Sequence, residues 1–172
     1  MDVRECTEKN RIKNNSCYVE YRFLFRAFFS LEEARFKNVL ASKQNNRRSS
    51  YKKLNRWVPP GGKIDSHETP DEAAIRECLE ETGVNIELLG VRAPVDGGLV
   101  APQGIQLNPI IPNERDHIDL IYFAQPIDNE ILKISEREAA DIGWFSYEAL
   151  FSLNTFPSIL KWSEQFLKLY RS

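Results

Sequence analysis

Cysteine, net charge and long apolar runs are all scarce in this sequence of 172 residues. Its three cysteines stand at irregular spacing with no C-x-x-C pair, which argues against a disulfide framework or a structural zinc site. A formal charge of -2, from 23 basic and 25 acidic residues, gives no global field that would favour nucleic acid or a membrane surface. No apolar run approaches the roughly 20 residues of a membrane span.

The first ten residues are charged throughout and contain no apolar core of a secretion signal. Together with the few cysteines, this favours the reducing cytoplasm as the setting, with no membrane and no clear nucleic-acid partner. The apolar share of 42% and the aromatic share of 11% are typical of a globular protein. We therefore expect a polar N-terminal extension over residues 1–15 and a single domain over residues 16–172, which includes a C-terminal helix.

Period-two patterns and apolar runs predict an α/β protein with five strands. The strands are expected near residues 17–26, 36–43, 84–91, 117–124 and 142–146. An amphipathic C-terminal helix is indicated by the apolar positions Ile159, Trp162, Phe166, Leu169 and Tyr170. Two polar or Pro- and Gly-rich stretches, residues 43–56 and 93–116, are predicted to be surface loops.

A glutamate-rich helix is predicted in residues 62–84, which read GKIDSHETPDEAAIRECLEETGV. Thr69 can cap this helix, Pro70 suits its first turn, and Glu72 stands where a capping box requires it. Gly83 fits the C-terminal cap. Both ends of the helix are therefore encoded locally.

Three glutamates of this helix, Glu77, Glu80 and Glu81, fall at i, i+3 and i+4 and so share one face. Packing against a sheet is expected on the opposite face, through Ala74, Ile75, Cys78 and Leu79. The acidic face is open to two interpretations. It is either a solvated helix surface or a site where a divalent cation relieves the mutual repulsion of the carboxylates.

The spacing around these glutamates resembles the Nudix box of the MutT-like hydrolases, G-x5-E-x7-R-E-U-x-E-E-x-G-U, in which U is apolar. Gly62, Glu68 and the run Arg76-Glu77-Cys78-Leu79-Glu80-Glu81-Thr82-Gly83-Val84 match every fixed position. Cys78 stands where the family usually has an aliphatic residue, and it is a small hydrophobe. The flanks WVPPGG and IGWFS are also similar to the family, so the resemblance covers residues 16–150.

The resemblance implies an α/β/α sandwich around a mixed sheet and the hydrolysis of a nucleoside diphosphate linked to a group X. It implies that Mg²⁺, with Mn²⁺ as a substitute, is held by Glu77, Glu80 and Glu81 and by the carbonyl of Gly62. Arg76 would pair with Glu68 and orient it.

The general base stays open between Glu81, Glu80 and an acid outside the motif. Among the outside acids Glu138 is the first choice, and Asp141 and Glu136 compete with it. An ordinary surface acid is the alternative for each of these three.

Candidate substrate contacts lie in and beside the basic loop. Lys43, Arg47 and Arg48 could steer a polyphosphate, or the loop could be a soluble insertion. Trp57 could stack on a base or belong to the core, and Lys63 could reach a phosphate or be solvated. His117 with Glu114, Asp116 and Asp119 could contact substrate or metal, or could be structural.

A nucleoside triphosphate or a modified nucleotide is the substrate expected first. The alternatives are a dinucleoside polyphosphate, a nucleotide sugar, an RNA 5'-end or, in a different class, a non-catalytic Nudix-like module that binds nucleotides for regulation. Such a module would lose glutamates of the motif, whereas this sequence keeps all of them. A monomer or a homodimer is expected.

Overall fold

A computed structural model describes residues 20–29, 37–43, 56–111, 115–127, 132–133 and 141–170. The described part contains seven strands and three helices. In chain order they are β1 (Glu20–Phe29), β2 (Lys37–Lys43), β3 (Arg56–Val58), α1 (Pro70–Thr82), β4 (Ile86–Leu88), β5 (Gly104–Ile111), β6 (Arg115–Pro126), β7 (Asp141–Ser146), α2 (Tyr147–Leu150) and α3 (Pro157–Tyr170).

Two sheets organise these strands. In the first, β6 is central: it runs parallel to β1 along one edge and antiparallel to β5 and β4 along the other. The second sheet is antiparallel, with β2 between β3 and β7. The prediction of an α/β fold with a mixed central sheet is confirmed.

The core lies on both faces of β6, because alternate side chains of this strand point to opposite sides of the first sheet. Its largest cluster combines both sheets with α2 and α3 and contains Leu40, Val58, Ile121, Phe123, Leu150, Ile159 and Phe166. On the other face of β6, Tyr122 and Ala124 pack against small residues of α1. The first sheet is therefore covered by α1 on one face and by α3 on the other.

Strand β5 lies inside a stretch that was predicted to be a loop, so that prediction was wrong. The α3-facing positions of β5 are Gly104, which abuts Trp162, and Gln106, whose side-chain oxygen accepts a hydrogen bond from the Trp162 indole at 2.6 Å. The exposed positions are the apolar Ile105 and Leu107. The sequence does alternate with the period of a strand, but with its polar positions inward and its apolar positions outward. The surrounding prolines and glycines favoured a loop, and pairing with β6 decides the conformation.

Helix α3 begins and ends close to its predicted limits, with one correction to its packing face. Ile159, Ser163 and Phe166 are buried, whereas Leu169 and Tyr170 are exposed. Tyr170 nevertheless contacts the core, because its ring centroid lies 6.1 Å from that of Phe123 and its hydroxyl donates to the Leu89 carbonyl at 3.0 Å. Only Leu169 therefore departs from the predicted face. Within the residues described, no helix has both the length and the apolar composition to cross a bilayer.

Candidate active site

Helix α1 is held at both ends by the local chemistry that its sequence predicts. The Glu72 N–H donates to the Thr69 hydroxyl at 3.4 Å, and the Thr69 N–H donates to the Glu72 carboxylate at 2.9 Å. Gly83 takes a left-handed φ of 73° and its N–H donates to the Leu79 carbonyl at 2.8 Å. These caps fix where along the chain the glutamates of α1 fall.

The buried side of α1 differs from the predicted one. Ala73, Ala74 and Cys78 are fully buried, but Ile75 is 40% exposed and Leu79 is 44% exposed. Glu81, expected on the polar face, is only 2% exposed. The helix is thus rotated about its axis toward its glutamates, because its smallest side chains allow the closest approach to β6.

Arg76 is the centre of a charge network that ties the loop before α1 to the helix. Its Nε and Nη2 donate to the two oxygens of Glu68 at 2.7 and 2.9 Å, and Nη2 also donates to the Lys63 carbonyl at 3.2 Å. Hydrogen bonding from Arg76 lowers the pKa of Glu68. The structure therefore places Arg76 against Glu68, where the sequence predicted it.

The other edge of the same guanidinium faces two glutamates of the predicted metal face. Its Nη1 lies 3.1 Å from the Glu77 carboxylate and 3.2 Å from the Glu80 carboxylate. Glu68 and Glu77 act together to raise the pKa of Arg76. Arg76 is thus a fixed positive charge beside the acidic face.

The glycines that follow β3 meet the remaining carboxylates. The Gly61 N–H donates to the Glu81 carboxylate at 3.3 Å. A Cβ atom at Gly62 would clash with the Glu77 carboxylate, so only glycine permits this approach. Glu77 and Glu81 therefore both lie against the backbone of the Gly61–Gly62 turn.

The three predicted ligands do not converge in the structure. Among the residues that the structure describes, no group of three or more His, Cys, Asp or Glu side chains is arranged to hold a metal ion. The reason is that Arg76 holds Glu80 on its side of the helix while Glu81 turns inward to Gly61. Glu77 and Glu81 nevertheless supply hard oxygen donors at a turn that a Cβ would fill, and this donor set fits a divalent cation.

The remaining candidates fall into two groups. Lys63 is exposed, and its carbonyl contacts Arg76. Trp57 packs edge-to-face on Phe145, with ring centroids 4.8 Å apart, and against the main core cluster. Asp141 is exposed, and its carboxylate accepts from the Ile142 N–H at 2.8 Å.

The other predicted residues are placed only in part. Asp119 is buried on β6 and accepts from the Asn108 side chain. The backbone of Lys43 pairs with Arg56, and that of His117 with Asn108; Asp116 is at the start of β6. The residues that lie outside the described ranges are Arg47, Arg48, Glu114, Glu136 and Glu138.

Sequence reasoning missed two main-chain contributions to this site, the Gly61 N–H and the Lys63 carbonyl. Every residue type offers these groups, so no side-chain pattern reveals them. The doubled glycine before Lys63 was the one available signal, because closely approaching backbone favours glycine.

Comparison with known proteins adds three findings. A family model described as the NUDIX domain matches residues 24–169. The structure is similar to a NUDIX-family hydrolase from Clostridium perfringens, with a TM-score of 0.68, 27% identity, and coverage of 88% of this chain and 99% of that one. It shares its fold with a MutT protein from Methanosarcina mazei, at a TM-score of 0.64, 21% identity, and coverage of 90% and 98%.

A curated relative from Mycobacterium tuberculosis, which has the provisional name 8-oxo-dGTP diphosphatase 3, is 56% identical over 39 residues. That match covers 23% of this chain and 18% of the relative, so it spans only about a fifth of the relative's length.

Proposed function

This chain belongs to the NUDIX family, and from that premise we propose that it is a pyrophosphohydrolase that cleaves a nucleoside diphosphate linked to a group X. The observation that carries the proposal is the placement of Glu77 and Glu81 against the Gly61–Gly62 turn, with Arg76 fixed beside them. The short match to a relative named as an 8-oxo-dGTP diphosphatase supports a nucleoside triphosphate, or its modified form, as the substrate.

We propose that Glu77 and Glu81, with the Gly62 carbonyl, hold Mg²⁺, for which Mn²⁺ can substitute. When bound, such an ion neutralises charge on the phosphate oxygens and makes a coordinated water more acidic. Glu80 is the third proposed ligand. It would have to exchange its contact with Arg76 for this role, since the two groups lie 3.2 Å apart.

The protein's own groups set the geometry of the site. The bidentate contact with Glu68 fixes the Arg76 guanidinium, which in turn limits the positions that Glu77 can take. The Gly61 N–H does the same for Glu81. Arg76 is therefore a positioning residue in this proposal, and Glu68 acts through it.

Glu81 is our first choice for the general base. It is buried at the turn beside the proposed ligand Glu77, and a base must lie within hydrogen-bond reach of the water proton it accepts. Glu80 is half-exposed and held by Arg76, which favours it less. Glu138 stays a prediction on a segment outside the described residues.

The test is a panel of substrates with Mg²⁺ and with Mn²⁺: 8-oxo-dGTP, the common nucleoside triphosphates, diadenosine tetraphosphate, a nucleotide sugar and capped RNA. Product nucleotides are separated and measured by chromatography, because only the triphosphates of this panel release pyrophosphate. Glu81→Gln is expected to abolish product formation while circular dichroism shows an intact fold. Glu164→Gln is the control, because this glutamate pairs with Lys168 on α3. No turnover across the panel, or full turnover by Glu81→Gln, would contradict the proposal.

A further inference from the structure

An exposed aromatic ring lies beside the strand that leads into the candidate active site. Phe156 is 36% exposed, and the guanidinium carbon of Arg56 lies 4.3 Å from the centroid of its ring. Arg56 is itself only half-buried. The pair forms a cation–π contact at the surface, and neither residue belongs to the core clusters of the described part.

The backbone between these two residues explains why they meet. The Trp57 N–H donates to the Asn154 carbonyl at 2.9 Å, and the Trp57 carbonyl accepts from the Thr155 hydroxyl at 2.7 Å. Arg56 directly precedes Trp57 in the chain, and Phe156 directly follows Thr155. Both backbone polar groups of Trp57 are therefore hydrogen-bonded to residues 154–155, which fixes the backbone from which the Arg56 and Phe156 side chains extend.

A short, stiff segment connects this pair to the Gly61–Gly62 turn. Val58, Pro59 and Pro60 are all buried, and a residue that precedes proline is confined to extended conformations. Gly61 is five positions after Arg56, so their Cα atoms are at most about 18 Å apart. The buried, proline-restricted segment thus limits how far the groups at its two ends can move relative to each other.

We propose that Arg56 and Phe156 form a stacking platform for the planar base of a nucleotide whose phosphates lie at the Gly61–Gly62 turn. This proposal rests on the proposed function. A delocalised guanidinium stacks on aromatic rings through both of its faces; Phe156 covers one face, and the base would contact the other. Trp57, the residue that the sequence suggested for stacking, instead packs on Phe145 and the main core cluster.

Binding of products tests the platform without requiring turnover. Isothermal titration calorimetry first identifies which of AMP, GMP, CMP and UMP binds most tightly. The Kd of that nucleotide is then compared with the Kd of ribose 5-phosphate, which has no base. Phe156→Leu keeps apolar bulk but removes the ring that holds the Arg56 plane, and it is expected to weaken the nucleotide several-fold while leaving ribose 5-phosphate unchanged. Phe156→Tyr is expected to retain binding within about threefold, since it keeps the ring.

Two further variants sharpen the test. Arg56→Lys keeps the charge but loses the plane that the base would contact directly, and a loss of about 5- to 100-fold in nucleotide affinity is expected. Phe151→Leu is the matched control, because Phe151 is 63% exposed but packs edge-on against Tyr147 instead of beside β3; neither ligand should change. Thermal denaturation of each variant verifies folding.

The outcomes separate this proposal from the proposed function. Equal losses for the nucleotide and for ribose 5-phosphate, no loss in Phe156→Leu, or no binding of any of the four nucleotides would overturn the platform. If the protein hydrolyses a nucleotide and Phe156→Leu leaves the KM unchanged, the platform is overturned but the proposed hydrolase activity is retained. If nucleotide binding depends on Phe156 but no substrate is hydrolysed, the platform is supported and the proposed hydrolase function is overturned.

Discussion

Strand β6 packs small side chains of α1 on one face and large aromatic side chains of α3 on the other. Ala73, Ala74 and Cys78 contact the first face, and all three are fully buried. On the second face, Phe123 meets Phe166 at 4.9 Å between ring centroids. The small residues bring α1 close and leave little room for adjustment, whereas the aromatic face buries more apolar area per residue.

The two faces of β6 contribute to different properties of the protein. The aromatic face supplies stability, since buried aromatic side chains dominate the free energy of a core. The face of small residues supplies precision, because a shift of α1 moves Glu77 and Glu81 relative to the Gly61–Gly62 turn. Substitutions on the two faces should therefore affect different measurements.

The largest expected effect is on the aromatic face. Phe166→Ala removes a ring that is buried against Phe123, and it should lower the free energy of unfolding by about 3–5 kcal/mol. Denaturant titration measures this loss. The molecules that remain folded should keep their specific activity, and a fall in activity without a loss of stability would break the comparison.

Next in size is Gly62→Ala, which places a Cβ against the Glu77 carboxylate. Activity on the best substrate should fall about 100-fold, as expected for a displaced catalytic-site group. The free energy of unfolding should change far less than in Phe166→Ala. Ser66→Ala, in the exposed part of the same loop, is the control and should retain both properties; normal activity in Gly62→Ala would refute the role of the turn.

The ends of α1 could be predicted from sequence because their causes are local. Thr69, Glu72 and Gly83 act within a few residues of the peptide groups that they cap. The pairing of Arg76 with Glu68 was also predictable, through the resemblance that defined its spacing. Neither result required knowledge of the rest of the chain.

The rotation of α1 and the inward face of β5 could not be predicted because their causes are tertiary. Ile75 and Leu79 look like core residues by pattern, yet small residues on the neighbouring arc approach β6 more closely and Glu81 follows them inward. In β5, Gln106 faces α3 because the Trp162 indole requires an acceptor there. Periodicity alone contains neither fact.

A smaller effect is expected from overfilling the face of small residues. Cys78 is fully buried among Val84, Ile86 and Ala124, so Cys78→Leu should cost about 1–3 kcal/mol of stability. Because it pushes α1 away from β6, it should also reduce activity more than its stability loss explains. Leu79→Ala, on the exposed side of the same helix, is the control for both assays and should change stability by less than about 1 kcal/mol.

The smallest expected effect is the acid sensitivity of the Arg76–Glu68 pair, which tests whether this contact serves stability or geometry. Hydrogen bonding from Arg76 lowers the pKa of Glu68 in the folded state below its ordinary value of 4.5. A lowered folded pKa means that the unfolded chain binds the proton more tightly, so the contribution to stability is complete above the unfolded pKa and is lost as pH falls through the folded one. The difference in unfolding free energy between wild type and Glu68→Gln should be constant above about pH 5.5, at about 1–2 kcal/mol for a charged hydrogen bond, and should shrink below pH 4.5. If this difference is flat across the pH range and activity at neutral pH is largely lost, the pair serves the geometry of the site and does not contribute to stability.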